Sequence, residues 1–442
     1  MSRSLFGKVS RAKKMTPTSP KTRIQSIDTL RGVALLGILL MNIIAFANPF
    51  AAYYLPHIDN ADTGINLAVF ILMDIFIEGS MRTIFSMLFG AGLLIFINKP
   101  NIEARIIKGL FYRRYLLLVA FGFLNSYVLL WLGDILYAYG MTGLSLYWLR
   151  GLSAKKLAGM SGGILLLLCL FHTSNHMQSA DLGGAARAIE SLSAGTTLTP
   201  EQNQVLLDWQ SFLDQQYVGV ETAQQHLRLM RSGYKDNFLG IAPINLMLQS
   251  VGFIGNAFWD ALAMMLLGMA LYKWGTLDGS RSTRTYGAMA IVGLSIGLPL
   301  NTWETLTFVS SGFNFEWAAM NRPTYDLGRL SLAVGYIGLV MLVCKLGSFE
   351  RIQRLLANVG RMALTNYLSH SLICNFCFMG WGLGLAGTLQ RIEIYYFVAG
   401  IWIFQLIAST LWLTYFRFGP AEWIWRSLTY KKRQPFRLIQ IG

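Results

Sequence analysis

Ten stretches of the chain are apolar for long enough to be read as membrane crossings: residues 27–47, 65–97, 111–131, 134–150, 157–172, 238–274, 285–305, 326–346, 361–383 and 393–416. A crossing helix needs about 20 mostly apolar residues. Two runs exceed that. Residues 65–97 are interrupted at Glu78-Gly79-Ser80-Met81-Arg82, and residues 238–274 around Gly252, Gly255, Asn256 and Asp260. Each is either one tilted or broken helix or two shorter ones. The pattern predicts an all-α, polytopic transmembrane helical bundle of about ten crossings. It divides into a basic tail (1–23), an N-terminal transmembrane half (24–172), a polar insert (173–237), a C-terminal transmembrane half (238–416) and an interfacial tail (417–442).

Charge fixes the orientation. With the N-terminus inside and one crossing per run, 28 of the 37 Lys and Arg residues fall on the cytoplasmic side and six outside, while Arg31, Arg82 and Arg329 lie at or within helices. That asymmetry follows the positive-inside rule and places both termini in the cytoplasm. It also accounts for the net charge of +15 without a nucleic-acid partner. Charged residues make up only 13% of the chain, against about a quarter in soluble domains, so the solvent is lipid. The tail 1–23 leads into a full crossing with no small-residue cleavage site, which reads as the signal anchor of an inner-membrane protein. Cys374 and Cys377 form one CxxC spacing without a second pair, and all four cysteines sit in apolar runs, so they are read as packing residues.

The insert 173–237 falls outside. Thr199-Pro200-Glu201 begins a helical pattern, a capping Thr followed by Pro in the first turn, and Leu206, Leu207, Trp209, Phe212 and Leu213 form an apolar stripe. The insert is either a helical cap on the outer face or a lid over an outer site.

Polar residues inside the apolar runs carry the candidate chemistry, because a charge at mid-membrane costs roughly 2.5–3.5 kcal/mol on insertion scales and so faces a cavity or a partner. Asp28 and Arg31 share a helix face, with Asn42 three turns further out: an ion pair with a buried amide, or a polar stripe in a cytoplasm-facing cavity. Asp74, Glu78 and Arg82 follow i, i+4, i+8 spacing across the break at Gly79, where a helix opens if it holds a binding site. Asp134 sits at a tight outer turn, where it would cap the next helix or serve an outer site. His172 and His176 are four apart at the outer end of the fifth run; interfacial solvation is the simpler reading than a metal pair. His370 lies mid-helix one turn after Asn366, as an acid or base or as a strut between helices. Glu304, Asp326 and Arg329 cluster at the outer ends of the seventh and eighth runs; Asp326 and Arg329 can pair across one turn, which leaves Glu304 available. No phosphate loop, dinucleotide fingerprint or nucleophile elbow is present.

Several longer motifs resemble those of the YeiB family of bacterial membrane proteins: the start Ser26-Ile27-Asp28-Thr29-Leu30-Arg31-Gly32-Val33-Ala34-Leu35-Leu36-Gly37-Ile38, then FSMLFGAG (85–92), GDILYAYG (133–140), GRMALTNYL (360–368) and FRFGPAEWIWRSLTY (416–430). These span the chain. That family is similar to a wider group of transmembrane acyltransferases, the acyltransferase-3 and heparan-α-glucosaminide N-acetyltransferase types. The resemblance implies transfer of an acyl group from a cytoplasmic thioester such as acyl-CoA to an extracytoplasmic sugar or glycan. Acyltransferase-3 proteins carry His where this chain has Asn42; the glucosaminide type has Asn there and its essential His in the following outer loop, where His57 holds a comparable place at a different spacing. The YeiB family commonly has His shortly before GDIL, where this chain has Asn125, and Gln in the slot of His370. If the two face each other, an imidazole has changed helices within one pair.

The resemblance thus implies a membrane-embedded acyltransferase, with acyl-CoA as donor, no metal, and a small-molecule or glycan acceptor. Arg31 with Arg105, Lys108, Arg113 and Arg114 would form a basic donor mouth, Asp74, Glu78 and Arg82 a polar path, and His57 or His370 the base. The alternative is a small-solute transporter, proton-coupled through Asp74, Glu78 or His370; a third reading is a non-catalytic scaffold or sensor. Oligomeric state is left open.

Overall fold

The computed structural model describes residues 24–98, 103–192, 197–216, 220–313 and 324–438; the basic tail 1–23 lies outside them. The chain is a bundle of helices, and among the described residues the extended pairing amounts to a single isolated bridge between Phe416 and Arg437.

The first crossing, α1 (Gln25–Ala47), leads to two 3-10 turns, Phe50–Tyr53 and Pro56–Asp59. The long second run is one crossing made of two pieces, α2 (Gly64–Phe76) and α3 (Ser80–Ile97), broken where Gly79 takes φ +67, a conformation that glycine adopts without steric cost. Next come α4 (Ala104–Phe123), extended by a π-helical turn Leu124–Val128, and α5 (Leu136–Leu146). The helix α6 (Ala154–Leu192) does not stop at the membrane surface near 172. Its 39 residues reach roughly 60 Å, twice the hydrocarbon thickness, so its outer half is the first part of the polar insert. The insert continues as α7 (Pro200–Gln216) and α8 (Val220–Met230).

The second long run is likewise one continuous crossing: α9 (Tyr234–Met247), a π-helical stretch Leu248–Ala257, and α10 (Phe258–Lys273). It bends through π geometry at Gly252, Gly255 and Asn256 rather than breaking. Helices α11 (Thr283–Ser310) and α12 (Tyr325–Leu346) form the next hairpin. The run 361–383 is shorter as a helix than it is as an apolar stretch: amphipathic α13 (Glu350–Arg361) packs across α1, the chain turns at Met362, and α14 (Ala363–Phe378) crosses. The crossing α15 (Arg391–Tyr415) and the interfacial α16 (Pro420–Thr429) complete the chain. Six continuous stretches (25–47, 64–97, 154–192, 234–273, 325–346 and 391–415) are long and apolar enough to span by composition alone. The hairpin α4–α5 and the packed α11 and α14 bring the total to about ten.

Helices approach closely where glycines leave room, as membrane bundles require in place of a hydrophobic driving force. Side chains at Gly32 and Gly360 would collide with the backbones of Leu356 and Asp28 where α1 crosses α13, and Gly90 and Gly268 hold the crossing of α3 with α10. Leu116, Val128, Leu167, Val251, Ile291 and Ile403 point outward, the lipid-facing belt of the bundle.

Candidate functional site

Two cavities enter the bundle from opposite sides. The outer one, of about 410 Å³, lies beneath the 3-10 turn Phe50–Tyr53 and is lined by residues of α1, α3, α6, the π stretch and α12, with the break at Gly79 in its wall. The cytoplasmic one, of about 220 Å³, has Arg31, Arg114, Arg361 and Arg426 among its lining, with an apolar throat of Phe85, Leu88, Phe89 and Leu118. They are back to back. Phe85 lines the cytoplasmic cavity and its neighbour Ser86 the outer one; Leu136 lines the cytoplasmic cavity and Ile135 and Tyr137 the outer one. The wall is tied by the Ser86–Tyr139 hydroxyl bond and by Tyr367 of the cytoplasmic cavity, whose Oη accepts the Ile135 amide at 3.2 Å.

The polar side chains of the outer cavity form one connected set. Glu78, freed from helical constraint by the break, accepts hydrogen bonds from the hydroxyls of Tyr53 (2.6 Å) and Tyr325 (2.9 Å). Arg82 donates to Asp260 at 2.9 Å. Arg329, 2% exposed, bridges Asp260 and Asp326 and also donates to Thr83 Oγ1 at 3.0 Å. Asp326 in turn stands 3.1 Å from Nδ1 of His172. At the opposite wall Asp134 accepts from Asn125 and from the Tyr137 amide, both at 2.8 Å, and so caps the first turn of α5.

Compared over its length, the chain is 32% identical to the uncharacterised protein YeiB of Escherichia coli (strain K12) over 424 residues, covering 93% of this chain and 97% of the relative. The chain belongs to the YeiB family. The uncharacterised protein YxaH of Bacillus subtilis (strain 168) is 26% identical over 95% of the chain and 98% of its own length. An uncharacterised 39.9 kDa protein from Bacillus acidopullulyticus is 26% identical over 96% of the chain and 99% of its own length. A family model described as a protein of unknown function (DUF418) matches residues 271–432. No solved structure matches the chain significantly.

The YeiB motifs now have places. FSMLFGAG and GDILYAYG build the wall between the cavities, and the Gly90 of the first is a helix-crossing glycine. In the C-terminal motif Glu422 accepts the Leu364 and Thr365 amides and the Thr365 hydroxyl, so it caps α14 from α16. Trp425 covers Arg114, 3.8 Å from ring to guanidinium.

The candidate residues are divided among several places. Asp28 and Arg31 pair at 3.0 Å on the cytoplasmic cavity, whereas Asn42 lines the outer one, so the three are not one stripe. Asp74, Glu78 and Arg82 are not one stripe either: the break redirects the chain, and Asp74 accepts from Thr305 of α11 at 2.7 Å, away from the cavity. Glu304 is not left available but accepts the amide and hydroxyl of Thr324, fixing the entry to α12. Asn366 donates to Ser409, and His370 Nε2 is 3.1 Å from Gln405, so both tie α14 to α15; neither is in the lining of these two cavities, and His370 and Asn125 bond to different partners. His57 lies in the outer loop outside both cavities. Among the described residues no group of three or more His, Cys, Asp or Glu could hold a metal ion.

The sequence reading missed His172, Asp260, Tyr53 and Tyr325 as site residues. The signal for Asp260 was available, since it interrupts an apolar run just as Glu78 does.

The insert meets a residue of the outer cavity's lining where the Phe50 amide donates to Nδ1 of His226 on α8 at 3.3 Å. Burial pushes the His226 imidazole down to about 4. A folded-state value below the free one means docking of α8 is unimpaired above pH ~6.5 and weakens progressively from there towards pH 4, where the free imidazole is charged and the docked one is not. Amide exchange across residues 220–230 should therefore accelerate between pH 6.5 and 4.5 beyond the intrinsic pH effect, and His226→Gln should abolish that excess.

Proposed function

We propose that the protein is a membrane-embedded acyltransferase that takes an acyl group from a cytoplasmic thioester donor and passes it to an acceptor entering from the outer face of the inner membrane. The observation that carries this reading is the pair of cavities open in one and the same conformation and lined by sequence neighbours, Phe85 and Leu136 on one side and Ser86, Ile135 and Tyr137 on the other. A carrier that alternates access keeps one site and opens it to one side at a time; two substrates arriving from opposite sides need two sites that meet. The cytoplasmic cavity suits an anionic amphiphile: four guanidinium groups against the carboxylates of Asp28 and Glu422, leading into an apolar throat. Arginine is suited to phosphate because its planar fork donates two parallel hydrogen bonds. The outer cavity suits a compact polyhydroxylated acceptor, with Tyr53, Tyr54 and Trp131 as ring surfaces and Asn42, Gln249 and Asn256 as amides. Its size is within the range of small-ligand sites.

Acetyl-CoA binding to the purified, lipid-reconstituted protein tests this. Saturable binding is expected, weakened by about tenfold or more in Arg31→Ala and in Arg426→Ala, in line with about 1.5–3 kcal/mol for a hydrogen bond to a charged group. Well-folded protein that binds no acyl-CoA would sink the proposal. Solute transport is then the second reading, favoured by the helix break at Gly79, which presents Glu78 and Arg82 to the outer cavity.

A further inference from the structure

We infer that His172 is the proton acceptor of the outer cavity and that Asp326 positions it; the inference rests on the acyl-transfer reading above. His172 lines the cavity from α6 and is 7% exposed. Its Nδ1 faces Asp326 Oδ2 at 3.1 Å, and Asp326 is itself held by Arg329. The two form a close charge contact, not an aligned hydrogen bond, since Asp326 Oδ2 is buried without a hydrogen-bond donor; the carboxylate's charge favours the proton on Nδ1, which leaves the lone pair on Nε2. Among the described residues that nitrogen makes no hydrogen bond.

The carboxylates sharing the cavity are engaged otherwise. Glu78 accepts from two tyrosines, Asp260 is paired with two arginines, and Asp134 holds a side-chain amide and a helix amide. Their oxygens are thus taken up by protein donors, whereas a base needs a lone pair directed at the acceptor. A histidine that lines a cavity and has a buried carboxylate beside one ring nitrogen is the arrangement of a general base. His57 and His370, which face neither cavity, lack that access.

In the step assigned here, the acyl end of the donor passes the Ser86–Tyr139 wall into the outer cavity. The acceptor hydroxyl gives its proton to His172 Nε2 as its oxygen attacks the thioester carbonyl carbon. The new C–O bond forms, the C–S bond breaks, and the departing thiolate takes the proton back from Nε2. Thioester and alcohol become ester and thiol, with no other reactant consumed.

The test uses the full chain in lipid nanodiscs with acetyl-CoA, water serving as acceptor, and reads binding and free-thiol release separately. His172→Gln should bind acetyl-CoA within about twofold of the wild type while thiol release falls ~10²–10⁴-fold, the usual contribution of a general base. Imidazole should restore part of the release in His172→Gly, which a merely structural role would not allow. Should these variants not fold, carbethoxylation of the wild type replaces them: release should be lost at the rate at which residue 172 is modified, located by mass spectrometry. Thiol release undiminished in His172→Gln, or in protein fully modified at 172, overturns the assignment and leaves the acyl-transfer reading standing. Wild-type protein that releases no thiol overturns that reading, and this role with it.

Discussion

Arg329→Met should cost the fold about 3–5 kcal/mol, the typical penalty for removing one partner of a buried ion pair. Arg329 is 2% exposed and holds Asp326 through Nε at 3.0 Å and Asp260 through Nη2. Methionine approximates the aliphatic stem but leaves Asp326 with His172 alone and Asp260 with Arg82 alone, while Thr83 loses its donor. The cost comes from stranded carboxylates rather than lost packing, so it should shrink when charge is removed from both sides. Arg329→Met combined with Asp326→Asn should recover part of the loss, because replacing both members of a buried pair is often near neutral. The measurement is the monodisperse fraction after detergent extraction and the apparent melting temperature by tryptophan fluorescence. A single variant that melts like the wild type, or a double variant worse than the sum of its parts, would refute the buried-charge account.

The same cluster marks the boundary of what the sequence could tell. Asp326 and Arg329 are three residues apart on one helix, and their pairing was legible from helical spacing alone. Their other partners are not local: Asp260 lies 69 positions from Arg329, and His172 lies on a different crossing altogether. A periodic pattern says which face of a helix is polar but not which helix it meets, so His172 read as interfacial and Asp260 as a mere interruption of an apolar run. The apolar runs were legible because lipid imposes length and composition on every crossing. The break at Gly79 was legible as well, but its consequence was not. A positive φ redirects the chain, so the i, i+4, i+8 series of Asp74, Glu78 and Arg82 sends Asp74 to α11 and the other two to the cavity. The outer half of α6 was hidden for a different reason. Apolar content falls after residue 172, and a search for membrane crossings cannot follow a helix that continues into water.

Gly268→Val should be the most disruptive substitution outside the charged cluster. A Cβ at Gly268 would fall inside the van der Waals shell of the Met87 carbonyl and Cα on α3, and one at Gly90 would meet the Met265 backbone on α10. Both obstacles are backbone, so no rotamer change relieves them and the helices must move apart. Overpacking of this kind typically costs 1–3 kcal/mol, and here the separation also strains a functional contact. Arg82 on α3 binds Asp260 on α10 two turns from the crossing, so parting the helices pulls on the ion pair that anchors the outer cavity. Gly90→Ala and Gly268→Ala report on the same gap from opposite sides. Once the first has opened it, the second needs less, so the double variant should lose less stability than the two single losses added together. Strict additivity in apparent melting temperature would mean that the two glycines do not share one crossing; a Gly268→Val protein with wild-type stability would mean that α3 and α10 are not in backbone contact at all.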